Sequence, residues 1–398
     1  MMASTKPRRA VVIGAGPMGL ETALHLIDRG FETTVLEAGR VGEHIRQWGH
    51  IRMFSPLAMN LSSRAKEILG DKLPKGETIQ TGNEFVKTVL EPLAQAEILK
   101  NKIITGQRVT AMARIGLGKM GLPNHPLRAE RGFRILAEDR EGREQVYQAD
   151  YVFDASGVFG LGNWSGAAGM PALGERSIND RIIRHPPNLV QQAERFTGKR
   201  ILVLGNGHSA ANTIVAFHEL LQREAATQVV WAVRSDRTKP VPEVPDDPLA
   251  ERAAIVDAAN ALAARPPANL KILRRATVEE FQRAGDAESA SLKVALKVWK
   301  SVEIIEVDEV ISLTGYRPNL EMLRETTVEV SNITEGSRGL YKALSNITDC
   351  LAKIEINPKD LQSGEPNLFI VGVKSYGRNP GFLLQSGLDQ LESVFSTI

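Results

Sequence analysis

Arg9-Ala10-Val11-Val12-Ile13-Gly14-Ala15-Gly16-Pro17-Met18-Gly19 is the stretch that decides the fold. Its first five residues form a nearly continuous apolar run, the pattern of a parallel strand buried on both faces. The glycines follow at once, and a helical pattern runs from Leu20 to Asp28 before Arg29-Gly30 ends it. Each glycine answers a physical demand: Gly14 makes the tight turn, Gly16 lets backbone approach a pyrophosphate, and Gly19 lets helix and strand pack closely. The helix N-terminus then offers unpaired N–H groups and a positive dipole end to phosphates. A second strand, Thr33-Thr34-Val35-Leu36, delivers Glu37, a carboxylate placed to accept both hydroxyls of a ribose. A Gly-x-Gly-x-x-Gly alone is weak evidence, but strand, turn, helix and acid agree here on a dinucleotide.

The pattern returns further along the chain. Lys199-Arg200-Ile201-Leu202-Val203-Leu204 repeats the strand, and Gly205-Asn206-Gly207-His208-Ser209-Ala210 repeats the turn with alanine in the third place. A helix continues through Ala211 to about Gln222. The next strand, Val229 to Val233, ends in Arg234 rather than in an acid. A guanidinium there can clasp a 2′-phosphate that a carboxylate would reject, so this unit reads as an NADP site. Arg237 and Lys239 either add to that clasp or are solvated loop charges. His208, inside the turn, suits helix packing or a phosphate contact better than catalysis.

A chain of 398 residues should divide into two or three domains. Its formal charge of +2 gives no reason for an extended nucleic-acid or membrane surface, which leaves a small-molecule partner. No run of about eighteen uncharged apolar residues occurs, and Met1 to Arg9 lacks a signal-peptide core, so a cytoplasmic protein is expected. No metal site is expected, and a homodimer stays open. The single cysteine, Cys350, rules out an internal disulfide or a Cys-x-x-Cys redox pair within one chain.

With two such units, the sequence resembles the two-dinucleotide-binding-domain flavoproteins over nearly its whole length. This group contains flavin-containing monooxygenases, N-hydroxylases, Baeyer–Villiger monooxygenases and glutathione-reductase-like enzymes. The resemblance implies an α/β fold of two Rossmann-like three-layer domains, with FAD on the first unit and the NADPH domain inserted into the FAD domain. Residues 1–165 and 309–398 are then the two parts of the FAD domain, and 166–308 the NADPH domain. Ala149 to Gly157 looks like the strand leaving the FAD domain, and Val307 to Pro318, with Gly315, like the strand coming back. Asn367 to Gly372 looks like the last FAD-domain strand, with a helix from about Gly381 through Leu391 after it and Phe382 beside the cofactor.

The same resemblance supplies further candidates. The stretch Arg46 to Pro56 mixes aromatic, cationic and small polar residues without a period, as suits a loop lining an isoalloxazine, although core packing suits Trp48 and Phe54 better than a flavin contact. Asn60 stands nearest the asparagine that flavin-containing monooxygenases place at the reactive face. Gln107-Arg108-Val109-Thr110 resembles the strand whose valine backbone binds adenine. Many relatives have Gly-Asp after the last strand, whereas here Gly372 is followed by Val373, Lys374 and Ser375, and Lys374 either faces the flavin's developing charge or lies in an exposed loop. His44 and His50 are either proton donors near the flavin loop or, as suits each better, surface residues. The segment from Thr238 to Pro267 is either a helical excursion over the active site or a connection.

FAD reduced by NADPH can pass electrons to a disulfide, activate oxygen as a C4a-hydroperoxide, or reduce a quinone-like or protein acceptor. The first route normally uses a cysteine pair beside the flavin, and Met18 and the Trp48–Ser63 loop occupy those regions here. The Phe-x-Gly-x-x-x-His linker of Baeyer–Villiger enzymes is missing, with only His185 before Pro186-Pro187 in its place. A divergent monooxygenase using molecular oxygen is therefore the leading expectation. A reductase without internal cysteines comes next, and a regulatory flavoprotein last.

Overall fold

The computed structural model describes residues 7–285, 290–345 and 357–398. The chain divides into two units, one built from residues up to Gly49, Ser55–Leu161 and Arg317 onward, the other from His50–Phe54 and Gly162–Tyr316.

The first unit opens with β1 (Arg9–Ile13), α1 (Pro17–Asp28) and β2 (Glu32–Glu37). A short helix α2 (Glu43–Gln47) follows, and β3 (Ile103–Thr105) lies beyond it. Next come β4 (Arg108–Arg114), β5 (Phe133–Glu138) and β6 (Glu144–Ala149), an antiparallel sheet, and then β7 (Tyr151–Asp154). β1 is hydrogen-bonded in parallel to β2 on one side and to β7 on the other. Its side chains explain the unbroken apolar run: Val11 and Ile13 pack with Met112, Phe133 and Ile135 of the antiparallel sheet, while Ala10 and Val12 are buried on the other face.

The second unit contains β8 (Ile182–Ile183), β9 (Arg200–Leu204), α3 (His208–Arg223), β10 (Gln228–Ala232), α4 (Ala250–Ala264) and β11 (Leu270–Leu273). An antiparallel sheet of β12 (Ala276–Arg283), β13 (Leu292–Val298) and β14 (Ser301–Val307) precedes β15 (Glu309–Ser312). The parallel sheet runs β11-β10-β9-β15-β8. Ile201 and Val203 of β9 pack with Ile214, Phe217 and Val256 of the helices, and Leu202 and Leu204 with Val278, Val294 and Leu296 of the antiparallel sheet. Three layers therefore bury each central strand on both sides, as expected.

Back in the first unit, β16 (Leu368–Ile370) adds to the edge beside β7, giving the order β16-β7-β1-β2-β3. α5 (Val373–Tyr376) and α6 (Leu384–Phe395) end the chain. Phe153 of β7 stacks with Phe369 at 5.1 Å and with Phe395 at 5.4 Å, tying β7, β16 and α6 together. Such ring pairs contribute about 0.5–1.5 kcal/mol each beyond their buried area.

The structure corrects three expected boundaries. The return to the first unit, expected after residue 308, follows Tyr316, because β15 pairs in parallel with β9, Val310 opposite Leu202. The departure comes after Leu161 rather than residue 165. The last helix starts at Leu384 rather than Gly381, since Pro380 and the extended Leu383 (φ −120°, ψ 154°) hold the preceding segment open, and the one-turn α5 stands directly after β16. Cys350 lies outside the described residues. No helix among the described residues is long and apolar enough to cross a membrane.

Candidate cofactor sites

In the first unit the turn between β1 and α1 is built as the glycine spacing requires. Gly14 has φ +100°, and a Cβ there would stand 2.8 Å from the Ala155 carbonyl oxygen. A Cβ on Gly19 would fall 1.9 Å from the Gly14 carbonyl, so strand and helix meet through the absence of a side chain. A Cβ on Gly16 would meet nothing within 4 Å, which leaves open space at the N-terminus of α1. Pro17 at the first helical position and the lack of a side-chain cap leave that end available to an anion.

Glu37, at the end of β2, is held rigidly. Its Oε2 accepts from the Ala15 N–H at 2.7 Å and its Oε1 from the Gly39 N–H at 2.7 Å. Each carboxylate oxygen keeps a further lone pair for a ribose hydroxyl. The Gln107 N–H donates to the Glu37 carbonyl at 2.9 Å, so the start of β4, with Val109 two residues on, is fixed beside the acid. Val109 pairs with Ala137 just before a register shift.

The loop expected to line a flavin is divided between the units. Arg46 donates to the Val41 carbonyl at 3.1 Å and to Glu91 at 2.6 Å, which makes it a brace rather than a free cation. Trp48 packs against Gly82, and its Nε1, buried, has no partner among the described residues. Arg52 and Phe54 belong to the second unit, Arg52 paired with Glu251 at 3.1 Å and Phe54 edge-on to His208 at 5.2 Å. Asn60 is buried, its Oδ1 accepting from the Ser55 hydroxyl at 2.7 Å and its Nδ2 donating to the Ser55 carbonyl at 3.2 Å. This closes the 55–60 loop and leaves Asn60 one N–H.

Gly157 (φ +73°) follows β7, and the His44 ring lies against it and Gly160. Burial, only partly opposed by Glu37, lowers the His44 pKa, so the ring is neutral at pH 7. His50 belongs to the other unit, near Pro187 and His185, and burial lowers its pKa as well. The two candidate proton donors thus sit in different units.

After β16, Gly372 donates its N–H to Gln390 Oε1 at 2.8 Å, and Phe382 meets Tyr376 edge-on at 5.2 Å. A Cβ on Gly387 would strike Met18 Sδ at 2.3 Å and the Phe382 ring at 2.9 Å, which brings the first turn and the C-terminal segment together. Lys374 is not an exposed loop lysine. Its side chain is 1% exposed, its Nζ lies 2.6 Å from Asp154 Oδ2, and it donates to Ser156 Oγ at 3.0 Å. Sequence reasoning passed over Asp154. The signal available was a lone acid closing the apolar run Tyr151-Val152-Phe153.

The second unit repeats the geometry. Gly205 has φ +117°, and its Cβ would stand 2.2 Å from the Leu313 carbonyl, whereas a Cβ on Gly207 meets nothing within 4 Å. α3 starts at His208 without a side-chain cap, Ser209 lies in its first turn, and Ala210 is fully buried in the third position. Burial, then Arg252, pushes the His208 pKa down, so this histidine adds no charge to the turn at neutral pH. Gly315 (φ +88°) is tied to this unit by the Asn163 N–H donating to its carbonyl at 2.9 Å.

Arg234, just past β10, is exposed and makes no hydrogen bond or ion pair among the described residues. Lys239 is engaged by Glu243 at 2.7 Å, while the exposed Arg237 side chain is unpaired among the described residues. Arg274 donates to the Arg237 and Thr238 carbonyls, each at 3.0 Å, and holds this loop. The segment from Thr238 to Pro267 contains α4, whose buried Asn260 both donates to and accepts from Val241 at 3.0 Å.

Residues 124–252 match the family described as L-lysine 6-monooxygenase/L-ornithine 5-monooxygenase. No curated protein matches the sequence. Among solved structures the chain is similar to the bacillithiol disulfide reductase Bdr from Bacillus cereus, at 18% identity, 98% coverage of both chains and a TM-score of 0.70. It is also similar to the ornithine hydroxylase PvdA from Pseudomonas aeruginosa, at 16% identity, 98% coverage of both chains and a TM-score of 0.63. The cadaverine monooxygenase DfoA from Erwinia amylovora, bound to FAD, gives 14% identity, coverage of 99% of this chain and 95% of that one, and a TM-score of 0.64. The chain thus has the fold of the two-dinucleotide-binding-domain flavoproteins, and residues 124–252 match the sequence pattern of the lysine and ornithine monooxygenases.

Proposed function

We propose that the protein is an FAD- and NADPH-dependent monooxygenase that oxygenates a terminal amine of a small amino-acid-like substrate, with molecular oxygen as co-substrate. The match of residues 124–252 to the lysine and ornithine monooxygenase family carries this reading, because it spans the second nucleotide turn and Arg234. Gly14, Gly16, Gly19 and the N-terminus of α1 would hold the FAD pyrophosphate, Glu37 its ribose and the Val109 backbone its adenine. The open space at Gly16 and the fixed Glu37 fit that group. Gly205, Gly207, Ser209, Ala210 and the N-terminus of α3 would hold the NADPH pyrophosphate, with Arg234 on the 2′-phosphate. Bound FAD supplies hydride acceptance and oxygen reactivity; the chain supplies binding, orientation and exclusion of water.

The test is to supply purified protein with NADPH, oxygen and lysine, ornithine or a diamine in turn. Oxygen-dependent formation of a hydroxylated amine, identified by mass, is the expected result. The likeness to Bdr favours a second reading, a flavoprotein reductase, for which NADPH oxidation would run without oxygen once a disulfide or quinone is added. The sequence weighs against a dithiol route, since Cys350 is the only thiol.

A further inference from the structure

Asp154, Ser156 and Lys374 form a buried ionic cluster at the carboxyl ends of β7 and β16. Both charged side chains are almost fully enclosed, at 0% and 1% exposure. Asp154 Oδ2 faces Lys374 Nζ at 2.6 Å, while Asp154 Oδ1 accepts from the Ser156 hydroxyl at 2.6 Å and from the Ser156 N–H at 3.1 Å. Lys374 Nζ closes the ring by donating to Ser156 Oγ. A second set of bonds holds the lysine's own turn: Gln390 donates to Ser375 Oγ at 2.9 Å, and Ser375 donates to the Gly372 carbonyl at 2.7 Å.

Burying such a pair carries a desolvation penalty that its mutual attraction often only balances, so the pair is weak evidence for stability. Its position points elsewhere. Asp154 lies opposite Ile13 in the β1–β7 register, one strand spacing from the residue that precedes Gly14. Ser156 Cα stands 3.1 Å from where a Gly14 Cβ would be. The carboxylate is therefore built into the floor beneath the first dinucleotide turn, where a pyrophosphate carrying two negative charges would lie. An uncompensated carboxylate there would repel it through a poorly screening interior.

We infer that Lys374 sets the affinity for FAD by cancelling the charge of Asp154 beneath the pyrophosphate turn. It is a positioning residue, acting through Asp154 and Ser156, and this role rests on the flavoprotein reading above. The charge argument makes the two partners unequal. Lys374→Met leaves a buried anion under the phosphates and weakens FAD binding about tenfold or more. Asp154→Asn leaves a cation and keeps FAD binding within about threefold of wild type, or tightens it. The double variant Asp154→Asn/Lys374→Met, neutral again, recovers most of the loss, and Lys374→Arg retains binding.

Full-length protein freed of flavin is titrated with FAD, following flavin fluorescence, alongside thermal melts of each variant. Equal loss in Lys374→Met and Asp154→Asn, no recovery in the double variant, or an unchanged Lys374→Met overturns the inference, since a purely structural pair would weaken binding in proportion to stability. If Lys374→Met gives no cooperative melt, Asp154→Asn and Lys374→Arg decide: a tenfold loss in either overturns it, and retained binding in both supports it. Failure of the wild-type protein to take up FAD would instead remove the flavoprotein reading itself.

Discussion

Arg234 and Glu365 illustrate opposite uses of charge. Arg234 is exposed and unpaired among the described residues, so its guanidinium is available to a ligand. Arg234→Ala should weaken NADPH by about tenfold or more, the equivalent of about 1.5–3 kcal/mol for a charge-assisted contact, and leave NADH kinetics nearly unchanged. Steady-state kinetics with both nucleotides check this, and equal losses would assign Arg234 to the fold. Glu365 is fully buried and accepts from Arg114 at 2.7 Å, from Arg128 at 2.8 Å and from the Thr327 N–H at 2.8 Å. Burial pushes its pKa up, but the bonds from Arg128, Thr327 and Arg114 prevail and hold it at about 2. Because the folded pKa is depressed, the stabilisation is complete above the unfolded value near 4.3 and is lost as pH falls toward 2. Thermal melts should therefore fall across that window, and Glu365→Gln should flatten the fall while lowering the melting temperature at pH 7.

At the scale of the element, the β1–α1 turn separates binding from folding within one motif. Gly16→Val places its side chain in open space, so the melt of the flavin-free protein should change little while FAD retention is abolished. Gly19→Ala meets the Gly14 carbonyl at 1.9 Å and must push α1 away from β1, so its melting temperature should drop before any cofactor is added. Flavin content and melting temperature, measured on both variants, distinguish the roles; loss of stability in Gly16→Val would refute the division. The glycine spacing made this element legible because a tight turn and a close backbone approach each require a missing side chain. The one-turn α5 left no such trace, since four residues are too few for a helical period.

For the whole molecule, the fate of the electrons is the open quantity. The monooxygenase reading expects NADPH oxidation that requires oxygen and yields a hydroxylated amine, and it gives Cys350 no part. Cys350→Ser should keep turnover within about twofold, as replacing a small side chain without a redox role does. A large loss, together with rapid oxygen-independent turnover on a disulfide, would move the assignment to the reductase.

The sequence by itself determined the two glycine turns, the order of the units and the three-layer class, because each follows from local patterns: apolar runs bounded by glycines, and one charged residue at the end of a strand. Only the tertiary structure decided which charges remain available. Arg46 and Arg234 read alike as cations near a cofactor, yet one is engaged by Glu91 and the other has no partner among the described residues. Lys374 read as a candidate for the flavin, yet it lies against Asp154, separated by 220 positions in the chain. The unit boundary after Tyr316 was equally hidden, since β15 and the strand it pairs with are each apolar runs that could join either sheet. Ion pairs and strand pairing are made between residues distant along the chain, and their partners are fixed only when the folded backbone brings them within hydrogen-bonding distance.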